Sequence, residues 1–108
     1  MTANDPILRR CRAVLEGLYG DRLKEVVLYG STARGEDTDE SDIDLLVLLD
    51  GPVNAGAEIL RIWEVLYPAQ LESSRVISVF PADAASYSRR ECNLYRNAQD
   101  EGVPIERR

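Results

Sequence analysis

Two carboxylates, Asp42 and Asp44, stand one residue apart at the head of the apolar run "IDLLVLL" (43–49). Ten residues earlier a different apolar run, "EVVLY" (25–29), ends in Gly30-Ser31. Side chains alternate along a strand, so Asp42 and Asp44 are expected to project from one face. Like charges at that spacing repel, and an apolar setting adds a desolvation penalty, so each tends to protonate unless a cation compensates. A divalent ion is the natural compensator, and Mg2+ commonly takes one or two carboxylates together with phosphate oxygens. The Gly-Ser pair offers the complementary half. Glycine permits close backbone approach, and the Ser31 hydroxyl is placed to cap the turn "STAR". The backbone N–H groups of a strand-to-helix turn make an anion seat that suits a triphosphate. Arg34 adds a fixed positive charge one turn later, and the polar loop "GEDTDES" (35–41) returns the chain to the carboxylates.

Each of these features also has a plainer reading. Gly-Ser after a strand is a common turn, Asp-x-Asp can be a solvated strand end, the acids from Glu36 to Glu40 can be a solvated connection, and Arg34 can be their partner. The combination carries the weight: apolar strand, Gly-Ser, ten residues, Asp-Ile-Asp, apolar strand.

The elements that must position this set can be read around it. Asp5-Pro6 predicts a helix start, with a side-chain cap and then proline where its missing N–H is harmless. Ile7, Leu8, Cys11, Val14, Leu15 and Leu18 recur at helical spacing, and Gly20 is the expected stop. Strands are expected at 25–29, at 42–49 and, as "RVISVF" ended by Pro81, at 75–80. After the turn residues "DGPVNAG" (50–56), a helix beginning near Asn54 should turn Ile59, Leu60, Trp63, Leu66 and Tyr67 inward and close at Pro68. Trp63 and Leu15 should be buried. Residues 82–102 are weakly helical, clearest from Asn93 to Glu101 with Gly102 as cap; "VPI" (103–105) could add an edge strand, and the terminal "ERR" should fray. The fold class that results is α/β, a small mixed β-sheet flanked by α-helices.

Composition bounds the rest. At 108 residues, with 44% apolar and 30% charged residues, the chain reads as a single soluble domain, 1–108. The net charge of −6 argues against gripping an extended nucleic acid over a broad face, though not against a small nucleotide. The start "MTANDPILRR" lacks a signal-peptide layout and no run approaches the ~20 residues of a membrane span, so the expected location is cytoplasmic. Cys11 and Cys92 have no metal-site spacing and are expected to be small core residues. The chain has no histidine, which excludes histidine-based acid–base and triad chemistry within it.

The stretch "YGSTARGEDTDESDIDLLV" (29–47) resembles the signature of the nucleotidyltransferase superfamily that includes DNA polymerase beta, in particular its minimal nucleotidyltransferase branch. The resemblance implies that Gly30 and Ser31, with Arg34 nearby, hold nucleotide phosphates. It implies that Asp42 and Asp44 bind Mg2+ and organise in-line attack on the α-phosphate of ATP. Members of that branch resemble antitoxins of two-gene modules whose partners are HEPN-domain ribonucleases, with a toxin tyrosine as acceptor. The expected function is therefore Mg2+-dependent transfer of AMP from ATP to a hydroxyl on such a partner, in a homo- or hetero-oligomer. The alternatives are an antitoxin that masks its partner with little chemistry, and a small-molecule transferase of the antibiotic-modifying kind. One departure stands out. Active members carry a third carboxylate on a later strand, where this chain aligns Ser78; Glu72 and Asp83 flank that strand as substitutes.

Overall fold

In the computed structural model, which describes residues 1–2 and 4–106, helices flank a single four-stranded sheet. Helix α1 (Pro6–Tyr19) and a 3-10 turn (Gly20–Arg22) lead into β1 (Leu23–Tyr29). A one-turn helix α2 (Gly30–Arg34) and the acidic loop precede β2 (Ile43–Leu49). Helix α3 (Ala55–Glu72) then connects to β3 (Ile77–Asp83), followed by α4 (Ala84–Ser88), α5 (Asn93–Glu101) and β4 (Val103–Pro104). The sheet order is β3-β2-β1-β4, with β1 antiparallel to β2 and to β4, and β2 parallel to β3. The expected mixed sheet flanked by helices is what forms. The frayed end foreseen for 106–108 lies, beyond Glu106, outside the described residues.

Strand β2 is central, and its apolar residues on both faces follow from that position. Ile43, Leu45, Val47 and Leu49 pack toward α1 and α3, against Leu8, Cys11, Leu15, Ile62 and Leu66. Leu46 and Leu48 face the other way, toward Ala98, Leu94, Tyr87 and Tyr95 of α4 and α5. By alternation Asp44 belongs to this second face.

Several expectations need correction. Helix α1 has no side-chain cap, because the Asp5 carboxylate accepts instead from the Thr2 N–H at 3.1 Å. Strand β1 begins at Leu23, two residues early, and β2 begins at Ile43, leaving Asp42 just outside it. Strand β3 starts at Ile77 and runs through Pro81 to Asp83. It tolerates proline because it is an edge strand whose outer backbone groups need no partner strand.

Helix α3 likewise passes through Pro68 to Glu72. Pro68 and Glu64, whose carbonyl loses its intrahelical donor, both lie on the exposed side, where water can satisfy that carbonyl. The last turn is held by Gln70, whose side chain donates to the Arg75 carbonyl at 2.9 Å and accepts from the Ile77 N–H at 2.7 Å. The inward face of α3 is also shifted. Glu58, Ile62, Leu66 and Ala69 are buried and Trp63 is half-buried, whereas Leu60 and Tyr67 stand 72% and 57% exposed. A helix with apolar residues all round does not define one face by periodicity. Glu58 goes inward because Tyr19 and Arg22 bond its carboxylate at 2.8 and 3.3 Å. Leu15 is buried as expected, and burial pushes the Cys11 thiol up to about 11, but Cys92 is exposed at the start of α5. No helix among the described residues is long and apolar enough to cross a membrane.

Candidate functional site

The site is built at the junction of β1, α2 and the head of β2. Gly30 has φ +76°, so the chain leaves β1 through the left-handed region that favours glycine and enters α2 at once. Its missing side chain has a use. A Cβ at Gly30 would lie 2.7 Å from Asp44 Oδ2, so the Asp44 carboxylate occupies the space that any other residue would fill. Tyr29 is the register partner of Asp44 on β1, and Ser78 is its partner on β3. Tyr29, Asp44 and Ser78 therefore share one face of the sheet, with the exposed Asp42 just ahead of them.

The electrostatics match the expected strain. Partial burial, and then the neighbouring charge of Asp42, hold the Asp44 carboxyl above its ordinary value. Burial and then Asp44 raise the half-buried Tyr29 hydroxyl in turn. Neither carboxylate is ion-paired among the described residues. One partly shielded and one exposed carboxylate, close enough to repel and with no ion-paired cation among the described residues, fit a divalent ion that would fill its remaining positions with phosphate oxygens and water.

The other residues singled out from the sequence fall into place unevenly. Ser31 lies within the first turn of α2 and does not cap it; the N-cap is Tyr29, which makes no side-chain bond there. Arg34 is exposed and reaches Glu36 at 3.1 Å and Glu101 at 3.5 Å, joining α2 to the acidic loop and to α5. Its hydrogen bond with Glu36 is the chief cause of its raised pKa. Glu72 sits at the end of α3 in an ion pair with Arg10 of α1. Asp83 is five residues along β3 from Ser78, about 16 Å at roughly 3.3 Å per residue, and it caps α4 by accepting from the Ala85 N–H at 2.8 Å. Neither acid joins Asp44, and among the described residues no group of three or more acidic, cysteine or histidine side chains is assembled to hold a metal. A cleft of about 400 Å3 beside Phe80, Ser86 and Tyr95 lies further along β3; Asp83 lines it, and Asp42 and Asp44 do not.

Thr32 escaped the sequence reading. It is buried, and its hydroxyl donates to the Asp42 carbonyl at 3.0 Å, tying α2 to the residue that opens the carboxylate pair. Its only sequence signal is its place inside the Gly-Ser turn, and the ten-residue gap to Asp42 is closed by the fold alone.

With this geometry in view, the nucleotidyltransferase domain family matches residues 8–100. The chain belongs to this family. Two Methanocaldococcus jannaschii proteins are similar to it, both named, provisionally, as protein adenylyltransferases. One is 48% identical over 44 residues, covering 41% of this chain and 42% of that protein. The other is 34% identical over 68 residues, covering 59% and 68%. The chain thus spans less than half the length of the first of these relatives. Two solved structures share the fold at 20% identity. A toxin–antitoxin complex of MntA with a mutant HpeT aligns with TM-score 0.59 over 92% of this chain and 71% of its counterpart. A toxin–antitoxin bound to AMP-PNP aligns with TM-score 0.55 over 93% and 73%.

Proposed function

We propose that this chain transfers AMP from ATP to a hydroxyl of a protein partner, with Mg2+, and that it acts as the antitoxin of a HEPN-domain toxin. The observation that carries this reading is Asp44 seated against Gly30 with Asp42 beside it, because it joins the two halves of the motif in one site. The acceptor oxygen attacks the α-phosphorus, an oxygen–phosphorus bond forms, pyrophosphate leaves, and the acceptor proton passes to solvent or a neighbouring base. Positioning and charge neutralisation supply most of the catalysis in such transfers. When bound, Mg2+ supplies that neutralisation on the phosphate oxygens. Asp42 and Asp44 are its ligands in this reading. The Gly30 backbone and Ser31 line the phosphate seat, and Arg34 contributes once it exchanges Glu36 for phosphate.

The names of the similar proteins support the reading. Two are described as protein adenylyltransferases, and the structural neighbours are toxin–antitoxin proteins, one holding an ATP analogue. Incubation with radiolabelled ATP, Mg2+ and the product of the adjacent gene should label that product, and Asp42→Asn with Asp44→Asn should abolish the label. Labelling that persists in the double variant overturns the assignment.

A second reading has its own support. Ser78 in register with Asp44 leaves two carboxylates where a third would help to hold the catalytic ion and orient the acceptor. An antitoxin that binds nucleotide, transfers slowly and neutralises by masking fits that pairing. The same assay separates the two readings: neutralisation of the toxin without labelling favours masking.

A further inference from the structure

The acidic loop between α2 and β2 carries Asp42, and most of its acids are exposed. Asp37 is different. Its carboxylate meets Arg75 Nη1 at 2.8 Å, and the two side chains retain only 8% and 12% exposure. Every other ion pair described here has at least one side chain about a third exposed or more. Arg75 also reaches toward Asp39, at 3.9 Å. Its hydrogen bond to Asp37 is the largest influence on that carboxyl and holds it below its ordinary value.

Arg75 is itself held from behind. Its N–H donates to Ser73 Oγ at 3.1 Å, and its carbonyl accepts from the Ser73 hydroxyl at 2.8 Å and from Gln70 Nε2 at 2.9 Å. The guanidinium therefore projects from a backbone fixed at the α3–β3 junction. The loop it grips closes on itself through the Ser41 N–H to the Thr38 carbonyl at 3.1 Å and the Thr38 N–H to Ser41 Oγ at 2.9 Å. Its far end is fastened by Thr32 at Asp42 and by the Ile43 N–H to the Val76 carbonyl at 2.8 Å. Val76 directly follows Arg75. The strand that places Ser78 opposite Asp44 and the loop that presents Asp42 thus share one clamp.

We infer that Arg75, through Asp37, is a positioning residue for Asp42: it fixes the loop that presents this exposed carboxylate beside Asp44. The inference rests on the metal-binding role proposed above for the aspartate pair. Asp42 lies outside β2, so the bonds at Thr32 and Ile43 fix its C-terminal side and the loop that Arg75 grips fixes the approach to it. A planar guanidinium with two donor edges suits a site that must hold two carboxylates of one loop at once, which a lysine ammonium does less well.

The test uses the full chain, Mn2+ as the metal probe and AMP-PNP as the nucleotide, in wild type, Arg75→Met, Asp37→Asn and the exchange Asp37→Arg with Arg75→Asp. Losing a residue that orients a metal ligand typically costs about 10–100-fold in metal affinity, so Arg75→Met and Asp37→Asn should each raise the Mn2+ requirement of AMP-PNP binding by roughly that factor. Nucleotide affinity at saturating Mn2+ should recover. Amide hydrogen exchange at residues 38–42 should quicken in both single variants, and the charge exchange should restore much of both effects. A lowered melting temperature with an unchanged Mn2+ titration means that the pair only stabilises the fold, and overturns the inference. A wild type whose AMP-PNP binding does not respond to Mn2+ removes the metal role itself, and with it the reading on which this one rests.

Discussion

Gly30→Ala separates two effects that the same glycine combines. The first is backbone strain. At φ +76° an L-residue sits in the left-handed region, which costs about 1–2 kcal/mol. For a chain of this size that is a fall in melting temperature of roughly 5–15 °C. The second effect is displacement. The new Cβ would stand 2.7 Å from Asp44 Oδ2, about 0.7 Å inside ordinary contact at 3.4 Å. The obstructing atom is the end of a side chain, so the clash is relieved cheaply by turning the carboxylate away. The energetic cost is small, but the proposed metal ligand has moved. Misplacement by about 1 Å can cost 10²-fold in a reaction that depends on alignment, so metal-dependent AMP-PNP binding and transfer should fall by at least about tenfold.

Gly102→Ala is the control. Its Cβ would meet the Ala98 carbonyl oxygen at 2.3 Å, Val27 Cγ1 at 2.7 Å and the Leu28 carbonyl oxygen at 3.1 Å, two of them backbone atoms that cannot turn aside. That variant should lose at least as much stability, yet keep its Mn2+ dependence at temperatures where it is folded. Thermal unfolding and Mn2+–AMP-PNP calorimetry on both variants decide the matter. Wild-type metal dependence in Gly30→Ala, or equal functional losses in the two variants, refutes the reasoning.

Three further outcomes follow from the same geometry. Asp44 has a raised carboxyl in the folded state, so the native protein binds that proton more tightly than the unfolded chain does. The resulting penalty is absent below the ordinary carboxylate value of 3.8 and grows as pH rises through the folded value, so metal-free Asp44→Asn should be more stable than wild type at neutral pH and equal to it in acid, by urea unfolding. Thr32→Val keeps the shape but strands the Asp42 carbonyl, and should cost about 1–3 kcal/mol by urea unfolding; no change means that water replaces the hydroxyl. Ser78→Asp places a third carboxylate in register with Asp44 and should raise the transfer rate while lowering metal-free stability, and a variant no faster than wild type in the labelling assay speaks for masking.

Much of the site was legible because its logic is local. The Gly-Ser turn follows an apolar strand, and Asp-x-Asp stands at the head of another; strand alternation alone puts Asp44 on the face opposite Ile43 and Leu45. The register of Ser78 with Asp44 also agrees with the position that the family resemblance gives Ser78. Boundaries were less legible. Pro68 and Pro81 read as stops because proline removes a donor, and both are absorbed, one on an exposed helix side and one in an edge strand. Local sequence does not state which side of an element faces water.

By itself, then, the sequence determined which residue types stand together: a carboxylate pair at a strand head and a Gly-Ser turn ten residues before it, the set on which the proposed metal and phosphate roles rest, in a chain with no histidine. Tertiary structure decided which polar residues surround that pair. It sent Glu72 to Arg10 and Asp83 to the cap of α4, tied Arg34 to Glu36 and Glu101, and enclosed Asp37 with Arg75. The reason is that an exposed or half-exposed charge carries no strong local preference. Its partner is whichever opposite charge the packing of distant elements brings within reach, and the stretch separating Asp37 from Arg75, 38 positions further on, contains no pattern that announces their meeting.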